Sequence, residues 1–90
     1  MLVLPADLTR VQASGCLQML VQGLRSEPAS TVVVDASALI KFDSAALAVL
    51  LEFRRSSLLL GKRVVIRALP QRLRDLAGLY GIAELLPSAL

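Results

Sequence analysis

Histidine is absent from this chain, and cysteine occurs once, at Cys16. The first absence removes the commonest general base and metal ligand. The second excludes an internal disulfide and any cysteine-rich metal site. Tryptophan is also missing and aromatics make up only 3% of residues, so the stacking platforms of single-strand nucleic-acid binders are lacking. The basic residues are scattered, so the formal charge of +3 does not form a nucleic-acid footprint. It suits solubility, docking onto an acidic partner face, or proximity to anionic lipid. Gly15, Gly23, Gly61, Gly78 and Gly81 are not spaced for a Walker or dinucleotide loop. No stretch approaches the ~20 uninterrupted apolar residues of a spanning helix, because Asp35, Lys41, Asp43, Glu52, Arg54 and Arg55 interrupt the richest region. The first residues, Met1 to Asp7, lack the basic and apolar regions of a secretory signal. The expectation is a cytosolic chain with no catalytic, cofactor-binding or metal-binding residues.

What is abundant is aliphatic. Hydrophobic residues reach 56%, against about 45–50% in ordinary globular chains. The 90 residues make one domain, residues 1–90, too small to bury so many Leu, Val and Ala side chains comfortably. A partner protein is expected to cover part of that apolar surface.

The order of elements reads β-α-β-α-β-α. Met1–Leu4 is a short strand stopped by Pro5. Thr9 caps a helix to about Leu24, with Ala13, Cys16, Leu17, Leu20 and Leu24 on its buried face. After the turn Arg25 to Ser30, the run Thr31–Asp35 is a strand of the kind covered on both faces. A short polar loop leads to a second helix from about Ser44 to Leu60, stopped at Gly61. A third strand, Arg63–Ala68, precedes a helix with Pro70 in its first turn and Leu73, Leu76, Ala77 and Tyr80 on its inner face. Gly81 to Pro87 is a terminal piece, strand or turn. The fold class is α/β: one domain with a small mixed or parallel sheet and helices packed against it.

The second helix is apolar around too much of its circumference. At about 100° per residue, Ala46, Val49, Leu50, Phe53 and Leu60 fall on one face. Leu47, Leu51 and Leu58 form an adjacent stripe, interrupted by Arg54. Together they span roughly 200°, twice the arc of a helix that packs on one sheet. One stripe suits the sheet; the other suits a neighbouring helix or a partner.

Polar candidates are few. Asp43 and Ser44 stand where a helix leaves its first N–H groups unpaired. Capping is the ordinary role for either, worth about 1 kcal/mol. A docking or regulatory hydroxyl at the positive end of the helix dipole is the functional role for Ser44. The two roles are compatible if Asp43 caps and Ser44 projects outward. Asp35 and Asp43 form an acid pair of the type that binds Mg²⁺, but without a phosphate loop or catalytic lysine loop capping is the better reading. Cys16 reads as a small core residue. Tyr80 reads as a half-buried packing residue that marks an interface edge.

Asp35-Ala36-Ser37, Asp43-Ser44-Ala45-Ala46-Leu47 and Gly61-Lys62-Arg63-Val64 together resemble the strand, signature loop, long helix and next strand of STAS domains. Leu76 to Ile82 and Leu85-Leu86-Pro87 extend the likeness toward the small stand-alone STAS subunit of the Mla phospholipid-transport ABC system. The resemblance implies a non-catalytic protein that binds and stabilises or regulates the transporter's ATPase subunit, in a complex with a membrane permease that maintains outer-membrane lipid asymmetry. It would then be peripheral to the inner membrane through that partner. Ser44 matches the family's regulated Ser/Thr, a phosphorylation site. Asp43, Ser44, Ala45, Leu47, Leu51, Leu58 and Tyr80 would form the partner-binding set. The alternative implied by the same family is an anti-sigma-factor antagonist whose partner switching is controlled by phosphorylation. Ala45-Ala46 replace the family's usual glycine and stiffen the loop. The expectation from the resemblance is that the family's first edge strand is missing, which would leave Met1–Leu4 an open edge for self-association.

Overall fold

The structure, a computed structural model, describes residues 1–86; Pro87 of the expected terminal piece lies outside them. Its centre is strand β3, Thr31–Asp35, which pairs in parallel with β1 (Leu2–Val3) on one side and β5 (Arg63–Arg67) on the other. Partners share a face across a parallel ladder. The register Leu2–Val34–Ile66, with Val32 beside Val64, therefore builds the core face. Val32, Val34, Val64 and Ile66 are all buried there, whereas Val33 and Val65 on the other face are only half-buried. The valine run of β3 is thus not enclosed equally on both faces.

Helices α1 (Ala13–Ser26) and α2 (Ser44–Leu59) pack against each other, and α2 also packs against β5. Phe53, Leu20, Leu24 and Leu50 fill the space between them and the sheet. Gly23 lets α1 approach β1. A β-carbon there would lie 2.5 Å from Leu2 Cδ2, so Leu2 occupies the room a side chain would take. Helix α3 (Gln71–Leu79) buries Leu73 and Ala77, and a 3₁₀ turn, Ala83–Leu85, follows it.

Several expected boundaries move. Helix α1 begins at Ala13 and runs to Ser26, not from Thr9 to Leu24. Thr9 instead organises a turn: its N–H and hydroxyl both donate to Gln12 Oε1, at 3.0 and 2.7 Å. Strand β5 stops at Arg67 because Ala68 turns into the left-handed region at φ 58. Helix α2 stops at Leu59, and the predicted glycine terminates it: Gly61 has φ 72 and its N–H donates to Leu58 O at 3.0 Å. Leu60 therefore leaves the helical period and is 52% exposed rather than buried. Ser57 takes the last buried position, its hydroxyl donating to Phe53 O at 2.8 Å.

A second, two-stranded parallel pair was not expected. β2 (Asp7–Leu8) pairs with β4 (Lys41–Phe42), with Asp7 opposite Lys41 and Leu8 opposite Phe42. The N–H groups of Ile40 and Lys41 both donate to Ala6 O, at 2.8 and 2.9 Å. Two residues cannot display a strand's alternation, so this pair is invisible to periodicity. It sets the Thr9 turn beside the start of α2.

Candidate docking surface

One residue beyond the β2–β4 register, Asp43 brings two elements together. Its Oδ1 accepts the Ala45 N–H at 2.8 Å, capping α2. Its Oδ2 accepts the Arg10 N–H at 3.3 Å across 33 residues of sequence. With capping done by Asp43, Ser44 is left exposed at the first position of the helix. Among the described residues its hydroxyl makes no hydrogen bond within the chain. Ala45 is half-buried beside it. These residues, with Thr9, Arg10, Val11 and Ala48, line an open recess of about 400 Å³.

Ala48 also lines the neighbouring groove, about 590 Å³, whose other walls include Leu51, Arg54, Arg55, Leu58 and Leu85. Ser44, Ala48, Leu51, Arg55 and Leu58 follow each other at spacings of three and four, so they share one face of α2. The signature loop and the outer stripe are therefore one continuous surface. Leu51 is half-buried and Leu58 is 51% exposed on it.

Two of the expected contact residues lie elsewhere. Leu47 is only 2% exposed and belongs to the core cluster. Helix α2 packs on α1 and α3 as well as on β5, so it is enclosed by more than one sheet face, and Leu47 is among the residues covered. Tyr80, expected on the inner face of α3, follows the helix end at Leu79 and is 56% exposed. It is not part of the α2 grooves. Conversely, Val11 was missed. It is 85% exposed beside Ser44, and the apolar residue directly after Thr9-Arg10 was its only signal.

The other candidate groups serve structure. Asp35 Oδ1 accepts the Ser37 N–H at 2.9 Å, closing the turn after β3. That hydrogen bond, then the Ser37 side chain, and more weakly Arg67, hold its carboxyl below the usual range against a small desolvation effect. Asp35 and Asp43 are each engaged with backbone N–H groups. Among the described residues, no group of three or more Cys, Asp or Glu side chains is arranged to hold a metal ion. Cys16 is a core residue, and burial pushes its thiol pKa up, away from the reactive thiolate. None of the described helices is long and apolar enough to cross a membrane.

A family model described as Mlab, STAS domain, matches residues 1–87 of the chain. No curated protein matches it.

Proposed function

The chain belongs to the STAS domain family, and from that premise we propose that it is a non-catalytic subunit that docks onto the ATPase of a phospholipid-transport ABC transporter. The observation that carries this reading is the unbroken surface from Ser44 through Ala48 and Leu51 to Leu58. It joins a small exposed hydroxyl to an apolar groove, and a constitutive partner keeps such a groove covered. The family's description, which names Mlab, supports the transporter branch. In this role the chain stabilises or regulates the ATPase while the permease carries lipid, and it reaches the inner membrane only through that complex.

A second reading rests on Ser44. An exposed hydroxyl at a helix N-terminus is open to a kinase, and a phosphate is favoured there by the dipole. In that reading the chain is an anti-sigma-factor antagonist, released or engaged by phosphorylation.

The test is co-purification of the tagged chain, from its native cell, with an ABC transporter ATPase. A stable complex with the ATPase supports the first reading. Binding to an anti-sigma kinase, lost when Ser44 is phosphorylated, replaces it with the second.

A further inference from the structure

The end of the domain farthest from Ser44 is built from the turn after α1 and the turn between α2 and β5. Lys62 joins the two: its Nζ donates to Glu27 O and to Ala29 O, the latter at 2.9 Å. The Arg63 N–H donates to Ser30 O at 2.9 Å, and Arg25, Leu59 and Leu60 line one small groove. At about 1.5 Å per helical residue, Leu59 lies roughly 22 Å along α2 from Ser44.

Three consecutive leucines stand out at this end: Leu58, Leu59 and Leu60 are 51%, 81% and 52% exposed. Leu58 continues the outer stripe of α2, but Leu59 lies off it and Leu60 has left the helical period at φ -94 and ψ 8. Leu59 and Leu60 therefore project from a turn instead of forming a row. A protein groove reads apolar anchors at spacings of three and four. Burial in an acyl phase is non-directional and accepts any projecting apolar side chain.

Charge at this end is one-sided. Residues 25–31 and 58–63 carry Arg25, Lys62 and Arg63 against a single acid, Glu27, and no aromatic residue on which a nucleic-acid base could stack. Glu27 is half-buried and accepts the Ala29 N–H at 3.4 Å. Among the described residues, the one salt bridge joins it to the Met1 amino group. The exposed Arg25 and Arg63 are thus left without an acid within the chain. Guanidiniums beside projecting leucines match lipid phosphates lying above acyl chains.

We propose that this end of the domain touches an anionic phospholipid bilayer, with Leu59 and Leu60 entering the acyl boundary and Arg25 and Arg63 holding lipid phosphates. The contact is weak, because two leucine side chains are smaller than the single acyl chain that already binds a membrane only marginally. It orients a chain that is carried to the membrane by its complex and does not recruit it. The inference goes beyond the ATPase role and does not depend on it, since vesicles alone test it.

The chain has no tryptophan, so Leu59→Trp supplies a single fluorophore at this end. Ile40→Trp supplies one beyond the opposite end of β3, where Ile40 is 77% exposed. Each full-length variant is titrated to millimolar lipid with vesicles of phosphatidylglycerol and phosphatidylcholine, or of phosphatidylcholine alone. The expected result is a blue shift for Leu59→Trp, and for Leu60→Trp, on the anionic vesicles, with Ile40→Trp unshifted. Adding Arg25→Gln and Arg63→Gln should leave the melting temperature unchanged and lower the partition coefficient roughly 25-fold, about fivefold for each cation near an anionic surface. No shift for Leu59→Trp at the highest lipid overturns the proposal, as does an equal shift on neutral vesicles or an equal shift for Ile40→Trp. A shift produced by the purified ATPase and not by vesicles overturns it too, and makes this end a protein contact. Each of these failures leaves the ATPase reading standing, because co-purification tests that reading without lipid.

Discussion

The carboxylate of Asp43 fastens Arg10 to the first turn of α2, one oxygen on the Arg10 N–H and the other on that of Ala45. The candidate docking surface combines two segments 33 residues apart, brought together by the β2–β4 pair and tied by this side chain. The apolar Val11 beside Ser44 is held in place by this bond and by the Thr9–Gln12 turn.

Asp43→Ala should therefore remove a helix cap and a tertiary tie together. The expected loss is about 1–2 kcal/mol of stability, read as a lower urea midpoint at unchanged slope. Amide hydrogen exchange should quicken at both Arg10 and Ala45. Asp43→Asn keeps an acceptor oxygen and should lose much less. Protection retained at Arg10 in the alanine variant would mean that the turn stands without the carboxylate.

The same residues show what could be read in the sequence and what could not. The β-branched run Thr31–Asp35 and the glycine stop at Gly61 identify β3 and the end of α2 because each acts locally. The Asp43-Ser44 start of α2 is equally local, so capping by Asp43 was legible. The Arg10 contact depends on the two-residue β2–β4 pair, which has no period to detect. Leu47 and Leu58 look equivalent on a helical wheel, yet a wheel does not say how many neighbours a helix has. Leu47 is buried and Leu58 exposed, so what separates them is the packing along the length of α2, which a wheel does not contain.

Asp35 predicts a pH dependence. Its carboxyl is held below the usual range in the folded chain, so the folded state favours the ionised form. The resulting stabilisation is present above the unfolded carboxylate value of about 4 and is lost as pH falls through the lower folded value. Asp35→Asn should lose part of its stability at neutral pH. Its difference from wild type should shrink as pH drops below about 4, measured by urea unfolding across pH 2.5–7, about that carboxylate range. A difference that stays constant over this range would remove the ionised carboxylate from the account of the β3 turn.

Ala68 predicts a gain. It holds φ 58 without the freedom of glycine, a conformation that costs an L-residue roughly 1 kcal/mol. Ala68→Gly should raise stability by up to about 1 kcal/mol after the entropy of the unfolded chain is set against it. A lower melting temperature would show that the Ala68 methyl packs more favourably than its backbone is strained.

The sharpest test places one change on two leucines of the same helix. Leu47→Asp puts a carboxylate into the core, where nothing is placed to pair with it, and the domain should unfold or adjust that group's protonation at a large cost in stability. Phe53→Ala, at 0% exposure, should cost about 3–5 kcal/mol through the cavity it opens. Leu58→Asp alters a side chain already half in water, so its melting temperature should stay close to wild type. Its binding to the proposed ATPase partner should nevertheless weaken, as should that of Leu51→Asp. Ser44→Ala should be nearly silent in both measurements, since Asp43 does the capping. Ser44→Arg should fold normally but bind poorly, because it sets a bulky cation at the positive end of α2 in a recess floored by alanines. Thermal melting and partner binding must be measured on the same preparations, so that lost docking is not mistaken for lost fold. If Ser44→Arg and Leu58→Asp both melt normally and bind the ATPase as wild type does, the partner sits on another face of the domain.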